Sequence, residues 1–194
     1  MIGCIVMAAG LGERFPSGNK LATPLNGKTV LQRTLDALPT EALETVAVIR
    51  DSALCPICEK AGVRPVQYSG GPRGETIRAG LTALGLMDGY LFVNGDQPLL
   101  RRTSMIAMLE CFHQNPEAIF RLAFGETQGN PVLFPSGARE MLLGLTASQT
   151  GRDVIRSGLW PVIPVQAEFE WELWDMDTPE DFSTMLKIIH QMEG

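Results

Sequence analysis

Residues 4–28 read CIVMAAGLGERFPSGNKLATPLNGK, an apolar segment that runs into a loop of small and basic residues. The apolar and β-branched start predicts a buried strand. The strand ends on small residues that leave backbone N–H groups open to a ligand, namely Ala8, Ala9, Gly10 and Gly12. Arg14 and Lys20 then supply two positive charges. Open backbone followed by cations suits an anionic triphosphate, so the stretch predicts a nucleotide site.

Two familiar nucleotide motifs are excluded by the spacing of this stretch. It holds no Gly-Lys-Ser/Thr, as a P-loop requires, and no third glycine opens a helix, as in the dinucleotide fingerprint. Gly10 and Gly12 would also fit an ordinary turn. The nucleotide interpretation therefore needs support from the rest of the chain.

The composition is that of a globular domain. The chain has 194 residues, of which 45% are hydrophobic and 20% are charged, and we expect one domain over residues 1–194. The net charge of −6 disfavours nucleic acid and anionic membranes as partners. No apolar run approaches the ~20 residues of a membrane span, and no basic segment precedes the first strand. Together with four cysteines, which we expect to be reduced thiols, these features predict a cytoplasmic protein.

Strand and helix patterns alternate along the chain, which predicts βαβ units and a mostly parallel sheet in an α/β protein. Strands are predicted at residues 2–7, 46–49, 63–68, 89–93, 118–124, 131–134, 160–165 and 169–174. Helices are predicted at residues 30–38, 53–61, 75–84, 138–145 and 151–158, and two further helices are predicted with Thr103 and Thr178 as their caps.

A second glycine-rich loop, SGGPRG at residues 69–74, follows a predicted strand and runs into a predicted helix. Ligands bind at the carboxyl ends of strands in open α/β sheets, so we expect Gly70 and Gly71 to share a crevice with the first loop. An exposed turn between strand and helix is the alternative.

The predicted central strand at residues 89–93 is followed by NGDQP at residues 94–98. A carboxylate at the end of such a strand is costly beside the core unless it has a partner. Mg²⁺ is a suitable partner, because it takes one or two carboxylates together with phosphate oxygens. Asp96 is therefore the candidate metal ligand, with a helix cap or an Asx turn as the alternative.

Five motifs in order resemble the molybdenum cofactor cytidylyltransferases, a branch of the MobA-like NTP transferases. They are AAG at residues 8–10 with Arg14 and Lys20, GETIRAGL at 74–81, GDQP at 95–98, GNPVLF at 129–134 and DMDTPED at 175–181. The resemblance spans nearly the whole chain. It implies a three-layer, Rossmann-like (GT-A-like) nucleotidyltransferase fold with a mostly parallel mixed sheet. It also implies that CMP is transferred from CTP to molybdopterin, with release of pyrophosphate and a need for Mg²⁺.

The resemblance implies catalytic and metal-binding roles for particular residues. Arg14 and Lys20 would neutralise the triphosphate and its transition state. Asp96, together with Asp175 or Asp177, would hold Mg²⁺.

Binding roles follow from the same resemblance. Asn130 and Arg152 would bind the acceptor, and a molybdoenzyme or its chaperone would be a transient partner. The nucleotide would contact residues of all three glycine-containing loops, namely Ala8, Ala9, Gly10, Leu11, Gly12, Gly70, Gly71, Thr76 and Gly95.

The implied reaction is attack of a phosphate monoester on the α-phosphorus of a nucleoside triphosphate. Since the second pKa of a monoester is ~6, the nucleophile is largely dianionic at neutral pH and needs no general base. Positioning and charge cancellation are what such chemistry requires. Guanylyl-transferring relatives carry Gly-Gly where this chain has Ala9-Gly10, and the extra methyl group is expected to narrow the pocket and favour CTP over GTP.

Three alternatives stay open. Residues 70–81 also resemble the cytidylyltransferase for methylerythritol phosphate. The unusual Phe15-Pro16 loop leaves room for a non-catalytic carrier that binds nucleotide or molybdenum cofactor. The C-x-x-C pair of Cys55 and Cys58, with Cys111 and His113, would fit a zinc site if the fold brought the four side chains together.

Overall fold

The computed structural model describes residues 1–10 and 19–193. Its strands are β1 (Ile2–Ala8), β2 (Pro24–Leu25), β3 (Lys28–Thr29), β4 (Leu43–Ile49), β5 (Arg64–Gln67), β6 (Gly89–Asn94), β7 (Ile119–Phe124), β8 (Thr127–Pro135) and β9 (Val162–Gln166). Its helices are α1 (Val30–Asp36), α2 (Cys55–Lys60), α3 (Arg73–Leu84), α4 (Arg102–Gln114), α5 (Arg139–Leu143), α6 (Gly151–Arg156) and α7 (Pro179–Glu193). The predicted site residues Leu11, Gly12 and Arg14 lie outside the described residues.

In the described part of the chain, seven strands form one mixed sheet in the order β5-β4-β1-β6-β8-β7-β9. Strands β5, β4, β1 and β6 are parallel, as are β7 and β9, whereas β8 runs antiparallel to both β6 and β7. The carboxyl ends of β1 and β6 therefore meet the start of β8 at one edge of the sheet. Asp96, two residues after the end of β6, lies at this edge.

Helices cover both faces of the sheet. Helices α1, α2, α4 and α7 contribute to the same apolar cluster as Cys4 and Val6 of β1. Helices α3, α5 and α6 contribute to a second cluster with Ile5, whose side chain points to the opposite face. This three-layer arrangement around a mostly parallel mixed sheet confirms the predicted fold class.

Helix α3 lies close against β1 because one of its residues has no side chain. A Cβ atom at Gly80 would lie 2.5 Å from Cγ2 of Ile5. This close approach explains why the motif at residues 74–81 contains a glycine in the middle of a helix, where glycine is otherwise unfavourable.

Three local predictions are wrong. Residues 169–174, predicted as a strand, hold a 3₁₀ helix at Glu170–Leu173, because the buried Glu172 carboxylate accepts backbone N–H bonds at the start of the segment and closes a turn. Thr103 is not a cap, since α4 begins at Arg102. Asn130 lies within β8 rather than in the preceding turn, because β8 begins at Thr127.

Within residues 1–10 and 19–193, none of the helices has the length and hydropathy needed to cross a membrane.

Candidate functional site

The loop after β6 is fixed against the ends of two neighbouring elements. The N–H of Gly95 donates to the carbonyl of Met7 in β1 at 3.0 Å. The hydroxyl of Thr34, a fully buried residue of α1, donates to the carbonyl of Gly95 at 3.1 Å. These two bonds hold the residue that precedes Asp96, so the position of the Asp96 backbone follows from β1 and α1.

Lys20 joins two acidic residues that are far apart in the chain. Its Nζ atom donates to Oδ2 of Asp96 at 2.5 Å, to Oδ1 of Asp177 at 2.8 Å and to the carbonyl of Met176 at 3.0 Å. The backbone of Met176 also donates to the carbonyl of Asp96 at 2.8 Å. We call Lys20, Asp96 and Asp177 the lysine–aspartate cluster. The structure thus brings together three residues of the predicted catalytic and metal set.

The lysine–aspartate cluster is partly shielded from solvent. The side chains of Lys20 and Asp96 are 13% and 19% exposed, while that of Asp177 is 51% exposed. Burial alone would lower the pKa of Lys20, but attraction to Asp96 and hydrogen bonds with both aspartates outweigh it, so the pKa is raised. Lys20 is therefore a fixed positive charge at the edge where β1 and β6 end.

Asp175 lies beside this cluster in a different hydrogen-bond chain. Its Oδ1 accepts from the side-chain amide of Asn94 at 3.1 Å, and Oδ1 of Asn94 accepts from Arg73 at 2.6 Å. Asp175 is exposed to solvent. Even so, desolvation by the surrounding protein, followed by repulsion from Asp96, raises its pKa to about 6. Three carboxyl groups, those of Asp96, Asp175 and Asp177, therefore share one small region.

The oxygen donors of this region fit a hard divalent cation in their chemistry. Mg²⁺ is usually held by one or two carboxylates together with substrate phosphate oxygens rather than by an all-protein cage. Asp96 and Asp177 already share one cation, the Lys20 ammonium. Among the described residues, no group of three or more His, Cys, Asp or Glu side chains is arranged to hold a metal by itself. This finding covers Cys55, Cys58, Cys111 and His113 as well.

The second glycine loop has little room for side chains. Gly70 has a φ of +90°, a backbone conformation that favours glycine. A Cβ atom at Gly71 would lie 2.6 Å from the hydroxyl of Tyr68, which is hydrogen-bonded to Glu75. Thr76, in the first turns of α3, is buried. The loop thus presents backbone next to a Tyr68–Glu75 pair.

At the end of β1, the three described residues of the first loop differ in exposure. Ala8 and Ala9 are buried, at 3% and 8% exposed, and Gly10 is exposed. Ala9 belongs to the apolar cluster that also contains Ile5 and Ile77. Its methyl group therefore has little surface left to contact a ligand, so its burial does not support the expectation that this methyl group narrows the nucleotide pocket. The backbone of residues 8–10 is what this segment presents to a ligand.

A cavity of about 230 Å³ opens beside Asp175, between the sheet and helices α3, α5 and α6. Its polar lining consists of three arginines, two asparagines, one threonine and one carboxylate, namely Arg73, Arg121, Arg152, Asn94, Asn130, Thr150 and Asp175. Its apolar lining includes Ile77, Phe92, Val132 and Phe134. The structure therefore brings the predicted acceptor residues Asn130 and Arg152 into one cavity. We call it the arginine cavity.

Sequence reasoning missed two arginines of this cavity. Arg73 lies within the second glycine loop, and its bond to Asn94 could not be read from the sequence. Arg121 interrupts the otherwise apolar strand IFRLAF, and a charge in the middle of such a strand was the available signal.

The family described as MobA-like NTP transferase domain matches residues 4–162. Among curated proteins, nicotine blue oxidoreductase of Paenarthrobacter nicotinovorans is 23% identical to the chain over 196 residues, which cover 94% of this chain and 95% of that protein. The similarity thus extends over nearly the full length of both proteins.

Solved structures share the fold. A nucleotidyl transferase from Methanothermobacter (Mth528) is 22% identical, with 99% of each chain covered and a TM-score of 0.85. Rv0371c from Mycobacterium tuberculosis, solved with manganese, is 21% identical, with 96% of this chain and 98% of that chain covered and a TM-score of 0.74. The 4-diphosphocytidyl-2C-methyl-D-erythritol synthase from Anaerococcus prevotii is 18% identical, with 98% of each chain covered and a TM-score of 0.75.

Proposed function

The chain belongs to the MobA-like NTP transferase domain family, and from this premise we propose that it is a Mg²⁺-dependent nucleotidyltransferase that transfers CMP from CTP to molybdopterin. Family membership and the nucleotidyltransferases among the structural relatives support the reaction class. The choice of CTP and of molybdopterin comes from the motif resemblance described above. The relative solved with manganese supports a divalent cation.

The observation that carries this proposal is the lysine–aspartate cluster at the carboxyl ends of β1 and β6. Lys20 is held within 2.5 to 2.8 Å of two carboxylates at the position where open α/β sheets bind ligands. A structural ion pair needs no second aspartate, whereas a phosphate site needs both a cation for the phosphates and carboxylates for a metal. The cluster supplies both.

The residues act through charge and position. Asp96, with Asp177 or Asp175, would hold Mg²⁺, which when bound neutralises phosphate charge and orients the oxygens of the triphosphate. Lys20, whose ammonium group donates to Asp96, Asp177 and the carbonyl of Met176, would supply positive charge beside the phosphates and stabilise the charge that develops as the α-phosphorus is attacked. Two segments would enclose the nucleotide: the backbone of Ala8, Ala9 and Gly10, and the loop of Gly70, Gly71 and Thr76. Gly95, which has no side chain, would let the backbone after β6 lie close to the nucleotide.

The acceptor phosphate attacks without a general base. A phosphate monoester is largely dianionic at neutral pH, so the protein has only to align it with the α-phosphorus. Asn130 and Arg152, in the arginine cavity beside Asp175, position the acceptor. The product is then passed to a molybdoenzyme or its chaperone in the cytoplasm.

A methylerythritol-phosphate acceptor is the second candidate. The fold is shared with the 4-diphosphocytidyl-2C-methyl-D-erythritol synthase of Anaerococcus prevotii, and residues 70–81 carry a similar loop. The name of that protein denotes a diphosphocytidyl product of methylerythritol, which is smaller than molybdopterin and non-aromatic. The GDQP and DMDTPED segments favour molybdopterin.

Label transfer tests the proposal. The purified protein is incubated with CTP labelled in the α-phosphate, Mg²⁺ and either molybdopterin or methylerythritol phosphate, and the organic product is separated and counted. We expect label in the molybdopterin product, with pyrophosphate released in equal amount, and less product with GTP. One relative that matches over nearly its full length bears an oxidoreductase name, and nucleotide binding alone would not distinguish a transferase from a protein with another activity. Label transfer is therefore the more decisive measurement.

Each other outcome has a definite reading. Label only in the methylerythritol product assigns the second candidate. Tight binding of CTP without any transfer assigns a non-catalytic carrier. Preference for GTP overturns the choice of nucleotide while leaving the reaction class intact.

A further inference from the structure

The floor of the arginine cavity crosses three strands in register. Phe92 of β6 pairs with Val132 of β8, and Val132 pairs with Arg121 of β7. All three line the cavity, so they share one face of the sheet. Since neighbouring strands lie about 4.8 Å apart, the backbone of Arg121 lies about 10 Å from that of Phe92. Arg121 therefore stands at the end of the cavity away from β6.

The Arg121 side chain is only partly satisfied by the protein. Its Nη1 and Nη2 atoms donate to the Gln128 side chain and carbonyl at 3.3 and 3.2 Å. Its Nε atom is buried and has no hydrogen-bond partner among the described residues. Burial, followed by repulsion from Arg152, lowers the pKa of Arg121. A buried N–H group of a cation without a partner is costly, and an ordered water, an ion or a ligand can supply the missing acceptor.

The charges of the cavity do not balance. Three guanidinium groups, those of Arg73, Arg121 and Arg152, face a single carboxylate, that of Asp175. Arg73 is joined to Asp175 through Asn94. The salt bridges found among the described residues involve neither Arg121 nor Arg152. The uncompensated charge thus lies at the far end of the cavity, away from the lysine–aspartate cluster.

We propose that Arg121, with Arg152, binds a second anionic group of the acceptor, and that Arg121 is a specificity-determining residue. This inference rests on the proposed function, because it treats the cavity as the acceptor pocket. In this arrangement the reacting phosphate lies beside Asp175 and the lysine–aspartate cluster. The body of the acceptor packs on Phe92 and Val132. Its second anionic group then contacts the guanidinium groups of Arg121 and Arg152. A guanidinium group matches a carboxylate or phosphate through paired N–H donors, which a neutral acceptor would leave unsatisfied.

Two small probes that differ by one carboxylate test this inference. Phenyl phosphate and 4-carboxyphenyl phosphate are titrated by calorimetry into the full-length protein and into Arg121→Gln, Arg121→Lys, Arg152→Gln and Arg156→Gln. Arg156 is an exposed residue of the same helix as Arg152 and does not line the cavity, so it controls for the loss of charge. We expect the wild-type protein to bind the carboxylated probe about tenfold or more tightly than phenyl phosphate.

The variants separate a ligand-binding role from a structural one. The preference should fall to about one in Arg121→Gln, fall in part in Arg152→Gln, recover in part in Arg121→Lys and persist in Arg156→Gln. Equal binding of the two probes by the wild type, no binding of either, or a preference retained in Arg121→Gln overturns the inference. If Arg121→Gln does not fold, Arg152→Gln, a substitution at an exposed position, tests the inference instead. An unchanged preference for the carboxylated probe in Arg152→Gln would then overturn it.

The failure of this inference can be told apart from that of the proposed function. Binding of CTP with Mg²⁺ and label transfer are measured on the wild-type protein alone. A protein that transfers label but does not distinguish the probes loses only the role of Arg121. A protein that distinguishes the probes but neither binds CTP nor transfers label keeps the anion site and loses the proposed reaction.

Discussion

The ammonium nitrogen of Lys20 lies 2.5 Å from Oδ2 of Asp96, although 76 residues separate the two in the chain. Each residue follows a strand of the parallel pair β1 and β6, so both reach the same edge of the sheet. The structure therefore places these two predicted site residues in contact. Their action on a nucleotide stays a prediction, and it can be tested residue by residue.

Replacing Lys20 by methionine is expected to lower kcat/KM for label transfer by about a hundredfold or more, because the variant loses the cation that we propose neutralises the phosphates. Lys28→Met is the matched control, because it removes the same charge from a surface residue that pairs with Asp36. Steady-state kinetics with CTP measure both variants. Similar losses in the two would mean that net charge rather than the position of Lys20 matters.

Asp96→Asn is expected to weaken the binding of Mg²⁺ and to raise the metal concentration for half-maximal activity tenfold or more, because the variant loses an anionic oxygen at the cluster. Asp177→Asn and Asp175→Asn, titrated in parallel, identify the second ligand as the one with the larger shift. Asp36→Asn serves as the control on the surface. An unchanged metal titration in Asp96→Asn contradicts the assigned role.

The elements with strong local signals were predictable from the sequence. The apolar run of β1 predicts a strand that the structure gives as Ile2–Ala8. The start of α7 at Pro179 follows from local chemistry, because the N–H of Asp181 donates to Oγ1 of Thr178 at 3.1 Å and Oδ2 of Asp181 accepts from the N–H of Thr178 at 2.7 Å. In such elements, the residues that interact lie within a few positions of one another in the sequence.

The parts that failed depend on distant partners. Residues 169–174 are rich in aromatic residues and predict a strand. In the structure, however, the Glu172 carboxylate is buried and accepts a hydrogen bond from the hydroxyl of Ser104 in α4. The position of Arg121 in the cavity also depends on distant residues, because it follows from the register of β7 with Val132 and Phe92. It could therefore not be predicted from local sequence. A single sequence carries the residue types but not these pairings.

Cysteine reactivity tests the zinc alternative. Burial raises the pKa of Cys58 to about 11, with the charges of Cys55 and Glu59 adding to it. Burial also raises the pKa of Cys4. A raised pKa lowers the thiolate fraction, and the thiolate is the reactive form. At pH 8, we expect Cys58 to be alkylated about a hundredfold more slowly in the folded than in the unfolded protein.

Mass spectrometry of timed samples measures this rate at each cysteine, with and without added zinc. We expect zinc to leave the rates unchanged, because the described residues hold no cluster of three metal-ligating side chains. Joint protection of Cys55, Cys58 and Cys111 by zinc would instead favour the zinc site.

The buried carboxylate of Glu172 closes the turn that precedes Asp175 in the chain. Glu172 is fully buried and accepts hydrogen bonds from the backbone N–H groups of Glu168 and Phe169 at 3.1 and 3.2 Å, as well as from Ser104. Glu172→Ala leaves these donors without their acceptor, so we expect the free energy of unfolding in urea to fall by about 2 kcal/mol or more. Glu172→Gln, which keeps one acceptor oxygen, should lose less. The exposed Glu170→Ala should stay within about 0.5 kcal/mol of the wild type. Because Glu172 lies only three residues before Asp175, loss of this carboxylate should also lower label transfer under conditions where the protein is still folded. Full activity in folded Glu172→Ala would mean that the position of Asp175 does not depend on this turn.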